Sequence, residues 1–300
     1  MILNELIKSK RILITGATGN IGSEVINQLI SNQINKNIEI IAGVRNVEKA
    51  KSQFKEWNNK IQFEYFDFEE KSTFNIFKKN INCVFLLRPP HISDVNVFKV
   101  LIEVFQENSV QEIIFLSVQG AEKSELIPHN KIERKIKKSK IDYIFIRPSY
   151  FMQNLTTELV NDIKTKKEII LPAGKAKFNW IDVKNIAEVA AKLIYNFDDY
   201  RNREIEITGY ENKDFQEVAT LISEKIGKKV EYRNVNPLKF FLIKRKQKMP
   251  IMKIIVMVLL HFLPRFQKEP EISDNYKQIT AKRPTSLVEF IEREKQKFIY

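Results

Sequence analysis

The chain has 300 residues, of which 43% are hydrophobic and 29% charged, and its formal net charge is +13. This length and composition predict a globular protein of one or two domains. A single cysteine, Cys83, excludes an internal disulfide framework and a cysteine-rich metal site, and three histidines argue against a histidine zinc site, so no bound metal is expected. No apolar secretory signal opens the chain, and the reducing cytoplasm is the expected compartment.

The first apolar run, residues 11–15, ends in a turn with three glycines, and a helical pattern follows. A strand that reverses sharply into a helix needs glycine, and close approach of a pyrophosphate needs a position without Cβ. Gly16, Gly19 and Gly22 supply such positions, and the next helix offers its N-terminal N–H groups to phosphates. The turn therefore predicts a dinucleotide site.

The second and third predicted strands, residues 38–44 and 61–66, end at Arg45 and Asp67. NAD-preferring proteins usually carry an acidic residue where Arg45 stands, whereas an arginine can pair with a 2′-phosphate. NADP is therefore expected over NAD, the alternative being that Arg45 caps a solvated loop. Asp67 is expected either to accept a hydrogen bond from the adenine amino group or to cap the next helix.

Three further strands are predicted at 83–87, 112–118 and 143–146, with helices at 95–105 and 130–139 between them. This alternation predicts a doubly wound, Rossmann-like parallel sheet with helices on both faces and right-handed crossovers. Ligands bind beyond the carboxyl ends of such strands. The strand-end residues are therefore expected to converge on one crevice: Gly16, Gly19, Arg45, Asp67, Leu87, Ser117 and Pro148.

Beyond residue 150 the alternation fades, and the remaining helices and short strands predict a small mixed α/β lid. Residues 1–150 are predicted to form the NAD(P)-binding domain, to which 183–208 return, and 151–182 with 209–300 form the lid. Residues 180–187 are predicted to open a helix, and Asp214 and Gly227 to begin and end another. The apolar stretch 251–263 is too short to span a bilayer. It is expected to be a buried or pocket-covering helix, with interfacial membrane contact or a dimer face as alternatives.

The positive charge is spread along the chain. Its densest run, residues 131–140, alternates lysines with isoleucines as the solvated face of an amphipathic helix does. No nucleic-acid partner is expected, because no recognised nucleic-acid motif accompanies the charge. A small-molecule electrophile is the expected ligand besides the cofactor, while a protein partner or a homodimer stays open.

Seven segments together resemble the NmrA-like NAD(P)-binding family, an atypical branch of the short-chain dehydrogenase/reductase superfamily: 15–22, Arg45, 89–90, 116–121, 128–133, 146–155 and 180–183. The resemblance covers nearly the whole chain. The family includes NADPH-dependent quinone reductases, azoreductase-like enzymes and regulators that bind NADP without obvious turnover. The resemblance implies these cofactor-binding residues: Gly16, Thr18, Gly19, Asn20, Ile21, Gly22, Arg45, Asp67, Phe68, Leu87, Arg88, Ser117, Val118, Pro148 and Tyr150.

The resemblance also identifies candidate catalytic residues. Typical short-chain dehydrogenases use a Tyr and a Lys four residues later, and those positions hold His129 and Glu133 here. His129 can deliver a proton near neutral pH, Glu133 can orient it, and Ser117 can polarise a carbonyl. The alternatives are that His129 only lines the pocket, that Glu133 pairs with Lys137 at the surface, and that Ser117 closes the turn.

The residues after the sixth strand are expected to lie over the nicotinamide, where aromatic rings suit a flat substrate. These are Tyr150, Phe151, Met152 and Asn154, and lid packing is their alternative role. Trp180 is expected to touch the substrate or to pack the hinge of the lid. Two functions follow: an NADPH-dependent oxidoreductase acting on a quinone or similar flat electrophile, or a non-catalytic NADP sensor that binds a partner protein.

Overall fold

The computed structural model describes residues 9–31, 38–92 and 94–299. The strands are β1 (Lys10–Ile14), β2 (Ile38–Val44), β3 (Ile61–Tyr65), β4 (Cys83–Leu87), β5 (Glu112–Leu116), β6 (Asp142–Pro148), β7 (Tyr150–Phe151), β8 (Glu168–Leu171), β9 (Phe178–Ile181), β10 (Arg203–Ile207), β11 (Asn212–Lys213) and β12 (Glu231–Asn234). The α-helices are α1 (Asn20–Ser31), α2 (Val47–Gln53), α3 (Asn96–Glu107), α4 (Pro128–Ser139), α5 (Val160–Lys166), α6 (Val183–Tyr195), α7 (Phe215–Ile226), α8 (Pro237–Lys246), α9 (Ile251–Phe262), α10 (Asn275–Thr280), α11 (Leu287–Glu294) and α12 (Gln296–Ile299).

The chain divides into two compact units. Unit 1 comprises Met1–Pro148 and Val183–Ile207, and unit 2 comprises Ser149–Asp182 and Thr208–Tyr300.

Unit 1 contains a seven-stranded sheet in the order β10-β6-β5-β4-β1-β2-β3, and every neighbouring pair is parallel. Its central strands are continuous apolar runs, as strands covered on both faces require. Ile12, Leu13 and Ile14 of β1, for example, are completely buried. The strand order reverses between β1 and β4, which is the topological switch point of a Rossmann-like sheet. The predicted fold class is confirmed.

Unit 2 is a small mixed α/β unit, as predicted for the lid. Its strands form a three-stranded sheet, β11-β9-β7, and a two-stranded sheet, β12-β8. A hydrophobic core of its own includes Trp180, Phe215 and Phe240, all completely buried. Asp214 and Glu217 form a capping box at the start of α7, and Gly227 ends that helix, which confirms its predicted limits.

In unit 2 the sequence predictions miss one strand and misassign the two residues Trp180 and Ile181. Strand β8 was not predicted, and Trp180 and Ile181 belong to β9 rather than to the start of a helix. Helix α9 has Ile254, Met257 and His261 on a buried face, but most of its other apolar side chains are exposed, so it is not a buried helix. Across the described ranges, no helix is long and apolar enough to cross a membrane. In the same ranges, no His, Cys, Asp and Glu side chains group as a metal site would require.

Candidate functional site

The glycine turn after β1 has the geometry that the sequence predicts. Gly16 has a φ of +59°, a left-handed conformation that favours glycine, and its carbonyl accepts a hydrogen bond from the Gly19 N–H at 2.9 Å. Helix α1 begins one residue later, at Asn20. Thr18, Gly19 and Asn20 are exposed, so the first N–H groups of the helix face open space.

Gly22 brings helix α1 against the strand end. A Cβ built at this position would lie 2.4 Å from the Gly16 carbonyl oxygen and 2.9 Å from the Ala17 Cα, which are backbone atoms that cannot rotate away. Only glycine therefore permits this packing. The positive end of the helix dipole then lies at the carboxyl edge of the sheet, where it favours an anion such as a phosphate.

Thr15 joins the two strands that flank the switch point. Its hydroxyl donates to the Phe85 carbonyl oxygen at 3.1 Å and accepts from the Leu87 N–H at 2.9 Å. Leu87 also packs against the turn, since its Cδ1 lies 3.1 Å from where a Cβ of Gly16 would be. The ends of β1 and β4 are thus held together beside the start of α1.

The residues after β2 and β3 lie at the same edge of the sheet. Arg45 is exposed, and among the described residues none forms an ion pair with it. The cap of helix α2 is Asn46, whose side chain accepts from the Lys49 N–H at 2.8 Å, so Arg45 does not serve as the cap. Asp67 accepts from the Glu69 N–H at 2.9 Å and closes a turn. The Phe68 ring is buried against Phe66 and Phe98 in the core, which leaves only its backbone for a ligand.

Among the described residues, two buried polar atoms just after β4 and β5 have no hydrogen-bond partner. Arg88 donates from Nη2 to the Ile92 carbonyl oxygen at 2.6 Å, but its buried Nε has no acceptor. Burial lowers the pKa of Arg88. Ser117 is 1% exposed, and its N–H donates to the Ile146 carbonyl oxygen at 2.8 Å, whereas its hydroxyl is unpaired. This backbone bond joins the end of β5 to β6, and the hydroxyl closes no turn among the described residues.

His129 occupies the first turn of α4, where its ring stacks on Phe115 with centroids 5.9 Å apart. Burial, together with the nearby charge of Arg88, lowers the pKa of His129 to about 4. The ring is therefore neutral at neutral pH. His129 can donate or accept one hydrogen bond there, but it does not carry the proton of an imidazolium.

Glu133 is 3% exposed and bound to Arg147 of β6 rather than to Lys137. Arg147 donates from Nε and Nη2 to the two carboxylate oxygens at 2.9 and 2.6 Å, a bidentate pair. Burial by itself would lower the pKa of Arg147, but Glu133, Glu204 and Glu122 together raise it. This pairing occupies both oxygens of Glu133 and fixes helix α4, and with it His129, on the sheet.

Unit 2, taken by itself, holds the residues expected around the substrate. Met152 and Trp180 are completely buried, and the indole Nε1 of Trp180 donates to the Lys213 carbonyl oxygen at 3.0 Å. Phe151 and Asn154 are partly exposed. The Tyr150 ring meets the Trp180 ring edge to face, with centroids 4.8 Å apart.

The Tyr150 hydroxyl lies 2.8 Å from Nε2 of His261. Nδ1 of His261 lies 2.6 Å from the Met257 carbonyl oxygen, which can only accept, so Nδ1 carries the proton and Nε2 accepts from Tyr150. Burial lowers the pKa of His261 to about 4, which keeps the ring neutral. Burial also raises the pKa of Tyr150 above its ordinary value, which disfavours a phenolate.

The sequence matches the profile of the NmrA-like family over residues 8–291. The chain belongs to the NmrA-like family. It is 29% identical over 229 residues to the prestalk A differentiation protein A of Dictyostelium discoideum, covering 75% of this chain and 73% of that protein. It is 27% identical over 226 residues to an NAD(P)H azoreductase of Xenophilus azovorans, covering 74% and 76%. The fold is similar to that of an NADPH-dependent quinone oxidoreductase from Escherichia coli, solved with NADPH (TM-score 0.83, 20% identity, covering 94% and 99%).

Sequence reasoning missed two residues of this NmrA-like protein that shape the site. Arg147 was noted only as part of a motif, because its partner Glu133 lies 14 residues earlier on another element. His261 lies within the apolar stretch 251–263, where it was not singled out as a site residue. A polar residue at a buried helical position indicates that a hydrogen-bond partner lies nearby. Only the fold identifies Tyr150 as the partner of His261.

Proposed function

We propose that this protein is an NADPH-dependent oxidoreductase that transfers a hydride to a quinone or a similar flat electrophile. The observation that carries the proposal is the fit of the β1–α1 turn to a dinucleotide. Gly22 leaves no room for a side chain, and it brings the helix N-terminus to the switch point of the sheet. The family relatives named as an azoreductase and as a quinone oxidoreductase support turnover over sensing.

The described residues suit NADP. We assign Gly16, Gly19 and the first N–H groups of α1 to the pyrophosphate, an assignment that the left-handed Gly16 turn and the start of α1 at Asn20 support. Arg45 is exposed and unoccupied by any described carboxylate, as a 2′-phosphate ligand needs to be, and this supports a preference for NADP over NAD. Asp67 has a second carboxylate oxygen beyond the one that accepts from Glu69, which we assign to the adenine amino group.

NADPH brings hydride transfer, and an electrophilic quinone mainly needs to be held beside the nicotinamide. We assign Arg88 to the acceptor side of the site. Its unpaired Nε–H and its positive charge would stabilise negative charge on an acceptor oxygen. The neutral His129 ring and the Ser117 hydroxyl would each supply a hydrogen bond, while Glu133 positions helix α4 through Arg147 and transfers no proton.

The residues that follow β6 are assigned to substrate binding. We keep Tyr150, Phe151 and Asn154 on the substrate side, with Met152 and Trp180 supporting them from the core of unit 2. We also keep a cytoplasmic site of action, consistent with the single unpaired Cys83.

The test is NADPH consumption followed by absorbance with a panel of quinones, azo dyes and aldehydes. We expect turnover with quinones, and binding of NADPH without consumption by any member of the panel would overturn the proposal in favour of a sensor. Ser117→Ala should lower kcat without loss of thermal stability, because the Ser117 hydroxyl has no partner to lose. Ser149→Ala is the matched control: its hydroxyl donates to Asn179 at 2.7 Å, so stability should fall while kcat is retained.

A further inference from the structure

Helix α9 is apolar around nearly its whole circumference, although only one side of it is buried. Ile254, Met257 and His261 pack inward. On the opposite side Met252 is 66% exposed, Val256 58% and Leu259 50%. A surface helix normally carries polar residues on its outer face, and a helix without them is normally covered. The outer face of α9 therefore requires a partner.

Neighbouring elements also expose apolar side chains. Helix α8 packs against α9 and exposes Leu238 and Leu242, which are four residues apart and so share one side of the helix. Leu263 and Phe266, just beyond α9, are exposed as well. We call the set the α8–α9 apolar surface; its members are Leu238, Leu242, Met252, Ile255, Val256, Leu259, Leu260, Leu263 and Phe266. Contiguous exposed apolar residues on this scale mark an interaction site.

The charged residues carried by α8, α9 and the segments that join and follow them all have one sign. Residues 237–268 contain eight cations and neither Asp nor Glu; the cations are Lys239, Lys244, Arg245, Lys246, Lys248, Lys253, Arg265 and Lys268. Two of them have acidic partners: Lys244 is buried 2.5 Å from Asp162, and Lys253 lies 2.6 Å from Glu158. Exposed cations such as Lys246 and Lys248 remain beside the apolar side chains.

We propose that the α8–α9 apolar surface binds an anionic lipid bilayer, with α9 lying in the plane of the headgroups. Apolar side chains flanked by lysine and arginine are the features by which interfacial helices bind such membranes. Helix α9 has 12 residues and is about 18 Å long, shorter than the ~30 Å hydrocarbon core, so it lies on the bilayer rather than across it. A dimer formed through this surface would place the same cations against each other. It would offer no complementary negative charge, which disfavours a second copy as the partner.

The core of unit 2 supports this orientation. The Tyr150–His261 hydrogen bond and the buried Lys244–Asp162 ion pair hold the inner faces of α9 and α8. The outer side chains can therefore enter the lipid without withdrawing either helix from the core. This inference does not depend on the proposed reductase activity, since membrane binding is measured without substrate or cofactor.

The test is co-flotation of the full chain with vesicles of phosphatidylcholine alone or mixed with phosphatidylglycerol. We expect binding to the mixed vesicles at least about tenfold stronger than to phosphatidylcholine, and weaker binding at high salt. Val256→Ser/Leu259→Ser should weaken binding about tenfold or more, without loss of folding, because both side chains are exposed. Leu126→Ser, at an 88% exposed leucine of unit 1, is the matched control and should bind as the unmodified protein does.

Two double charge-reversal variants test how far the cations beside this surface contribute to lipid binding. Lys246→Glu/Lys248→Glu should abolish the preference for phosphatidylglycerol, whereas Lys131→Glu/Lys138→Glu on α4, with the same change in net charge, should retain it. Equal losses in both pairs would mean that net charge rather than this surface binds lipid, and would overturn the proposal. Absence of flotation would also overturn it. Light scattering that shows a dimer dissociated by Val256→Ser/Leu259→Ser would assign the surface to a second copy instead.

Discussion

Replacing Gly22 by alanine tests the phosphate-binding turn directly. The added Cβ would lie 2.4 Å from the Gly16 carbonyl oxygen, and real Cβ atoms essentially never approach closer than 3.0 Å, so α1 must retreat by about 0.6 Å. Overpacking of this kind costs about 1–3 kcal/mol of folding free energy. The better helix propensity of alanine offsets at most about 1 kcal/mol of that cost.

Gly22→Ala should therefore lower the free energy of unfolding by about 1–2 kcal/mol, or roughly 2–4 °C in Tm for each kcal/mol. The larger effect is expected on the cofactor. A retreat of α1 pulls its N–H groups away from the pyrophosphate, and the loss of one hydrogen bond to a charged group costs about 1.5–3 kcal/mol. NADPH should thus bind at least about tenfold more weakly.

Thermal unfolding and fluorescence titration with NADPH measure the two effects separately. Gly227→Ala is the control, because Gly227 has a φ of +67° in unit 2 and alanine there is strained without touching the turn. It should lower the Tm of the protein while NADPH affinity is kept. Native NADPH affinity in Gly22→Ala would refute the assignment of the β1–α1 turn to the pyrophosphate.

Two further predictions concern charge. Arg45→Ala should weaken NADPH binding about tenfold or more while NADH binding barely changes, and equal losses in titrations of the two cofactors would remove the 2′-phosphate assignment. Stability should fall in mild acid: the fold lowers the pKa values of His129 and His261 from 6.5 to about 4, so the unfolded chain binds more protons between those values. Each histidine contributes up to about 3 kcal/mol of stability that is fully present above pH ~6.5 and lost towards pH ~4. In urea unfolding at several pH values, His129→Asn should flatten this loss and the exposed His91→Asn should not; an unchanged slope in His129→Asn would show that burial of His129 is not its source.

The sheet of unit 1 was predictable because its central strands are largely apolar runs and because strands and helices alternate between turn residues such as Gly16 and Arg45. The four-residue strands β8 and β9 were not, since short apolar runs do not distinguish a strand from a buried helix segment. Trp180 and Ile181, directly before the true helix start at Val183, were assigned to that helix for this reason.

Residue type and sequence order were sufficient to predict candidate residues for the site. The sequence identifies His129 as a histidine in the expected position, but not that burial, together with the charge of Arg88, lowers its pKa and keeps it neutral. Likewise Glu133 is visible four residues later, but its ion pair with Arg147 depends on how α4 packs on β6. Ionisation and pairing depend on burial and neighbours, which come from the fold.

The two hydrogen bonds of the Thr15 hydroxyl tie the carboxyl ends of β1 and β4 together. These strands cannot splay apart without leaving buried polar groups unpaired. The backbone at these strand ends is therefore preformed, and a dinucleotide that binds there does not have to order it. The carboxyl ends of β1 and β4 therefore recognise a dinucleotide as a rigid site. Adaptation to acceptors of different size must come from other parts of the molecule.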